Sequence, residues 1–191
     1  MPLRLAEHSF DTWFYNRVLD GNAYHAASTG AVTLSTVSTT ITGLVISNPS
    51  TSTVDLVIRD FTFAPSSAPG ISVVGLNIMG TLESGVLTST TAIVIHNAYS
   101  KGSDVEFTPT GGRDSQGKVF SAATSVSTPV WLRPMASEAV AASSITPTTI
   151  VAEMYGSLIL PPGAFCALGY LTNAAVGVAG VSWAEVEHQA P

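Results

Sequence analysis

The chain has 191 residues, 46% hydrophobic and only 10% charged, with seven Lys and Arg against thirteen Asp and Glu for a net charge of −6. A chain of this length buries about 70% of its unfolded surface, enough for one domain whose core needs neither disulfide nor metal. The acidic balance argues against a basic face for nucleic acid or an anionic membrane, and the apolar content with modest net charge argues against a disordered chain. The one cysteine, Cys166, excludes a disulfide framework within the chain and a cysteine-based zinc cluster.

Residues 1–22 stand apart from the rest. They combine Phe10, Trp13, Phe14 and Tyr15 with charges at Arg4, Glu7, Asp11, Arg17 and Asp20. Ser9 is a candidate cap for a helix over 10–19, and Gly21-Asn22 would stop it. On that helix Phe10, Trp13, Phe14 and Arg17 share one face. An extended arm is the competing reading. Glu7 and His8 interrupt the apolar stretch that a signal peptide requires, and no run reaches the roughly 20 apolar residues that span a bilayer. The expectation is a chain made in the cytoplasm and soluble there. Asn48-Pro49-Ser50 has proline in the middle position, so it is not a glycosylation acceptor.

From Ala23 onward the signals are strands. Runs rich in Thr, Val and Ile occur at 32–37, 41–47, 54–63, 71–80 and 91–97, then at 117–122, 129–134, 156–161, 164–170 and 178–187. Between them lie Asn48-Pro49-Ser50, residues 65–70, Thr110-Gly111-Gly112 and Pro161-Pro162-Gly163. Short strands separated by Gly and Pro turns, with no convincing helix between them, argue antiparallel all-β rather than α/β. Val54, Leu56 and Ile58 alternate with Asp55, Val57 and Arg59, and Val181, Trp183 and Glu185 with Ser182, Ala184 and Val186. One face apolar and one wetter is the pattern of a two-sheet sandwich. The stretches 98–116 and 135–149 read as connections. The expected architecture is an antiparallel β-sandwich of jelly-roll type over 23–191, preceded by an N-terminal aromatic arm or short helix over 1–22.

Few residues stand out as chemistry. The four histidines, His8, His25, His96 and His188, are far apart and form no H-x-H or H-E-x-x-H pattern. His96 follows an apolar run and reads as a strand-end residue, and His188 as exposed. A nucleophile elbow and a phosphate-binding Gly-Lys loop are both missing. Cys166 lies in AFCALGY, where a buried, inert thiol is expected. Glu185 and Glu187 share one face of a strand and read as a solvated edge. The most polar stretch is the loop 110–117, whose glycines allow close approach and whose Arg113 and Asp114 supply charge. An ordinary hairpin excursion is the preferred reading of this loop. The expectation is no enzymatic activity, no metal and no cofactor.

The blocks ITGLVISNPSTSTVDLVIRDFTFAPSSAPG, VWLRPM and YGSLILPPGAFCALGY, followed by GVSWAEVE, resemble uncharacterised virion proteins of tailed bacteriophages. In that group a Gly-x-Leu-x-Leu-x-Pro-Gly turn leads into a strand and the chain closes on an aromatic strand with acidic residues. Here those positions are 156–163, with a doubled proline at Pro161-Pro162, and 181–187. The resemblance implies a β-sandwich of the capsid decoration or cement type and brings no catalytic residues. Low charge with abundant Ser and Thr suits a surface covered by copies of itself or by a partner, although Thr also decorates the solvent face of strands.

The leading expectation is a virion structural protein, a homo-oligomer, most simply a trimer, bound to the major capsid protein on the capsid surface. It would contact neither nucleic acid nor membrane. Candidate contact residues are Phe10, Trp13, Phe14, Tyr15 and Arg17 on the arm, which is expected to dock on a neighbour or on the capsid, together with Arg113 and Asp114. A receptor- or glycan-binding module is the alternative, with Trp131 and the 98–116 loop as its candidates. A shell-forming capsid subunit is a third reading, disfavoured by the small size and the lack of a basic arm.

Overall fold

A computed structural model describes residues 10–66, 72–81, 86–99, 114–140, 149–171 and 175–189, and of residues 10, 72–77 and 136–140 the backbone alone. The expected helix is present as α1 (Phe10–Leu19). It ends in a Schellman motif: the Asn22 amide donates to the Arg17 carbonyl at 2.9 Å and the Gly21 amide to Val18 at 3.0 Å. Gly21 sits at φ +72°, where a residue with Cβ is strained, so the stop read at Gly21-Asn22 has a backbone cause.

The strands are β1 (Ala23–Ala27), β2 (Val32–Thr33), β3 (Thr40–Ser47), β4 (Val54–Pro65), β5 (Ser72–Thr81), β6 (Leu87–Ala92) and β7 (Ile95–Asn97). They continue as β8 (Lys118–Ser125), β9 (Val130–Val140), β10 (Ile150–Glu153), β11 (Ile159–Leu160), β12 (Phe165–Tyr170) and β13 (Val176–Glu187). One sheet has the order β10-β4-β13-β1-β7, with β11 also on β4 and β2 on β13; the other runs β6-β8-β3-β12-β5-β9. Among the described residues every ladder is antiparallel, and one isolated bridge, between Ser35 and Gly169, is parallel. The all-β architecture of two antiparallel sheets is as expected.

The core lies between the sheets. Tyr24, Leu56, Ile58, Phe61, Phe63 and Trp183 from the first meet Leu44, Ile46, Ile78, Val119, Cys166 and Leu168 from the second. Trp183 is fully buried and stacks on Tyr24 with ring centres 5.8 Å apart. Each such side chain contributes roughly 1.5–3 kcal/mol by leaving water. The second sheet is also apolar on its far face, where Ile41, Val45, Met79, Phe165 and Ala167 pack with Val37, Leu87 and Phe120. Burial on both faces explains why FCALGY is a continuous apolar run rather than an alternating one.

Several boundaries differ from expectation for identifiable reasons. The run 91–97 is two strands, because at Ile93 and Val94 the chain leaves β6 in one sheet for β7 in the other. Residues 135–140 are strand, not connection: β9 continues past Pro134, which an edge strand accommodates because its outward positions need no ladder donor. The run 32–37 contracts to β2 and 156–161 to β11, while Ala23–Ala27 and Ile150–Glu153 add β1 and β10. The turn before β12 is as read from Pro161-Pro162-Gly163. The Ala164 amide donates to the Pro161 carbonyl at 3.0 Å and Gly163 has φ +90°, a type II turn. Among the described residues no helix is long and apolar enough to cross a membrane.

Candidate functional site

The outer face of the β10-β4-β13-β1-β7 sheet carries both α1 and the main grouping of polar side chains. Cross-strand register lays its outward residues in transverse rows. One row is small and apolar: Ala23 of β1 faces Ala184 of β13, which faces Val57 of β4, which faces Ile159 of β11. The two alanines form a shelf on which α1 rests. Phe14 is 7% exposed and packs with Ala23 and Ala184, flanked by Trp13, Val18 and Ala98. The Arg59 guanidinium lies 4.9 Å from the centre of the Phe14 ring, and that of Arg17 5.9 Å from Trp13.

The arm residues therefore divide. Phe14 is committed to the chain's own sandwich and not to a neighbour or a capsid, which corrects the expectation for that side chain. The cause is the small size of Ala23 and Ala184, which opens a site for one aromatic ring. Trp13 is half-buried beside it, Arg17 pairs with Asp20 at 3.6 Å, and Phe10 opens the helix. Tyr15, at 60%, and Leu19, at 50% exposure, one turn apart, point away from the shelf. Asp114 is exposed; Arg113 and the greater part of the 98–116 loop lie outside the described residues. Trp131 is 38% exposed and lies over Gly169 on the far face of the other sheet.

Two residues further along β1 and β13, and three along β4, runs a polar row. His96 of β7 faces His25 of β1, His25 faces Ser182 of β13, Ser182 faces Asp60 of β4, and Asp60 faces Glu153 of β10. The imidazoles of His25 and His96 lie nearly parallel, with ring centres 5.7 Å apart. Ser182 hydrogen-bonds to the Asp60 carboxylate, and Arg59 approaches it at 3.7 Å. Asp60 reaches this face through a bulge. The β4–β13 register shifts between Ser182 and Trp183, leaving Arg59 unpaired, so the buried positions change from Val54, Leu56 and Ile58 to Phe61 and Phe63.

The environment moves two of these groups. Burial raises the Asp60 carboxyl above its ordinary range, against the opposing pull of Ser182 and Arg59. Partial burial of its ring lowers His25, although the residue keeps an exposed edge, and the neighbouring His96 lowers it further. The shift favours the neutral imidazole, in which one ring nitrogen carries the proton and the other can act as a ligand or acceptor. The Ser182 hydroxyl proton is directed to Asp60, not to an imidazole, so the row is not an assembled nucleophile–base relay. Among the described residues no group of three or more His, Cys, Asp or Glu is placed to hold a metal ion.

A second polar feature lies at the end of the loop singled out by sequence. Glu185 is 2% exposed, and its Oε1 accepts hydrogen bonds from Ser115 Oγ at 2.7 Å, the Gln116 amide at 2.9 Å and the Gly117 amide at 3.1 Å. The solvated-edge reading of Glu185 is thus corrected. Strand β13 is interior, between β4 and β1, and Glu185 shares the core-facing side of Trp183. Glu187, at the strand end, is exposed. His188, read as exposed, is half-buried, its Nδ1 2.7 Å from Asp55 Oδ1. Cys166 is fully buried, and burial pushes its thiol far up, leaving it inert as expected.

Sequence reasoning missed the polar row. Alternation places Ser182 opposite Trp183, but nothing local pairs it with His25 or Asp60. Comparison of the chain with models of known protein families, with characterised proteins and with solved structures gives no match.

Proposed function

We propose that the protein is a structural component of a virion, a capsid decoration or cement protein that binds the major capsid protein lattice as a homo-oligomer. The observation that carries this reading is the outer surface around α1. The helix is anchored by Phe14 and directs Tyr15 and Leu19 outward, while Ile159, 48% exposed, and Val151, 54% exposed, lie on the outer face of the same sheet. Exposed apolar side chains on a rigid, weakly charged scaffold suit contact with other protein. Repetition of that contact over a symmetric shell multiplies a modest local affinity. A trimer is the simplest assembly for a local three-fold position.

The test is localisation in purified particles by imaging at subunit resolution, combined with sedimentation of the isolated protein. Density on the shell and an oligomer at micromolar concentration support the reading. A clean monomer absent from particles overturns it. Tyr15→Asp with Leu19→Asp should weaken assembly while leaving the melting temperature of the sandwich in place.

The alternative is a receptor- or glycan-binding module, favoured by the partly exposed Trp131 over Gly169, since an indole face stacks well on a sugar ring. A glycan array decides it. A hit that is lost in Trp131→Ala would favour this alternative over the capsid reading.

A further inference from the structure

We propose that His25 and His96 together form a surface site for one borderline divalent transition-metal ion, of the nickel, copper or zinc type. They are direct partners in the β1–β7 ladder. Two residues along, the Ala98 amide donates to the Ala23 carbonyl at 2.8 Å, so by alternation the histidines also occupy a hydrogen-bonded pair, with side chains on one face. Imidazole is the favoured ligand for these metals.

The spacing fits. A metal about 2.0–2.1 Å from a ring nitrogen lies about 3.2 Å from the ring centre. Two rings with centres 5.7 Å apart can then share one ion at a ligand–metal–ligand angle of about 125°, close to tetrahedral. The rings need rotation about χ2 to aim both nitrogens at the ion. His25 is exposed and His96 half-buried, which leaves that rotation and solvent access open.

The rest of the row defines the coordination. Asp60 is two strands from β1, about 9.6 Å at ordinary strand spacing, and its carboxylate is engaged by Ser182 and Arg59. Glu153 is one strand further. Neither carboxylate completes the ligand set, so the protein supplies two nitrogens and water fills the remaining positions. The site is therefore a chelating pair with open positions, not a closed structural centre. It does not depend on the capsid reading.

Titration calorimetry of the full chain with nickel(II), copper(II) and zinc(II) in a non-coordinating buffer tests it. One ion per chain is expected. His25→Ala and His96→Ala should each weaken binding by about tenfold or more, because the second imidazole acts at high effective concentration. His188→Ala should bind as the parent does, since that ring is engaged with Asp55. With copper(II), nitrogen hyperfine structure from two imidazoles should appear in the electron paramagnetic resonance spectrum and fall to one in either single variant. Absence of saturable binding up to millimolar metal, or binding unchanged in both single variants, overturns the proposal. The melting temperature of each variant, expected near the parent's, shows that a loss is not unfolding.

Discussion

Replacing Glu185 with alanine tests how the polar loop is attached to the sandwich. The carboxylate oxygen accepts from Ser115 Oγ, from the Gln116 amide and from the Gly117 amide, the last being a buried bond. Hydrogen bonds to a charged acceptor contribute about 1.5–3 kcal/mol each, and their loss is not additive. Ser115 and Gln116 are only half-buried, so water can replace the carboxylate for them, whereas the Gly117 amide is stranded. The expected loss for Glu185→Ala is therefore about 3–4 kcal/mol, well short of the simple sum. In a chain of this size that lowers the melting temperature by roughly 6–16 °C. Glu185→Gln keeps an acceptor of the same shape without the charge and should lose about half as much, since charge-assisted bonds are roughly twice as strong as neutral ones. Urea unfolding of both variants measures this as a change in midpoint at constant slope. A Glu185→Ala variant within 1 kcal/mol of the parent (about the worth of one ordinary hydrogen bond) would refute the clamp. A glutamine variant as unstable as the alanine variant would refute the role assigned to acceptor geometry.

Phe14→Ala should destabilise the fold by about 3 kcal/mol, a large-to-small change at a packed site, while Tyr15→Ala stays within about 0.5 kcal/mol, as for exposed positions. Chemical denaturation of the two variants separates an intramolecular anchor from a residue available to a partner. His25, lowered from 6.5, binds a proton more readily unfolded than folded, so stability should fall as pH drops below about 6.5 through its folded value. The groups around it are His96, Ser182, Asp60 and Glu153; Asp60, raised from 3.8, acts oppositely, losing stability as pH rises above that value. His25→Gln should flatten the profile of melting temperature between pH 6.5 and the lower folded value, and an unchanged profile would remove His25 as the cause. Cys166, buried and with its thiol pushed up, should resist a thiol reagent in the native protein and react once in denaturant; rapid native labelling would contradict the packing.

Local chemistry determined a large part of this protein. Gly21-Asn22 ends α1 because the stop is a backbone requirement of a single turn. Alternation in Val54–Ile58 and in Val181–Glu185 assigned strand faces because the side-chain period of a strand is two. The apolar run at 164–170 was legible as a strand with a buried thiol, but only the packing of its sheet showed it covered on both sides. Tertiary structure decided the rest, because strand order joins residues that have no local relation. Phe14 belongs to an aromatic face in any reading of the helix, but only the pairing of Ala23 with Ala184 made a shelf for it within the same chain. Glu185 reads as a surface carboxylate until β13 is placed between β4 and β1 and the Ser115–Gly117 segment is brought over it. The bulge at Arg59 turns Asp60 to the outer face, against the alternation that precedes it. His25 and His96, 71 positions apart in the chain, meet only because β1 is flanked by β7 and β13. A polar row across a sheet is a property of register, and register is set by nonlocal pairing under the demand that each strand bury its apolar side.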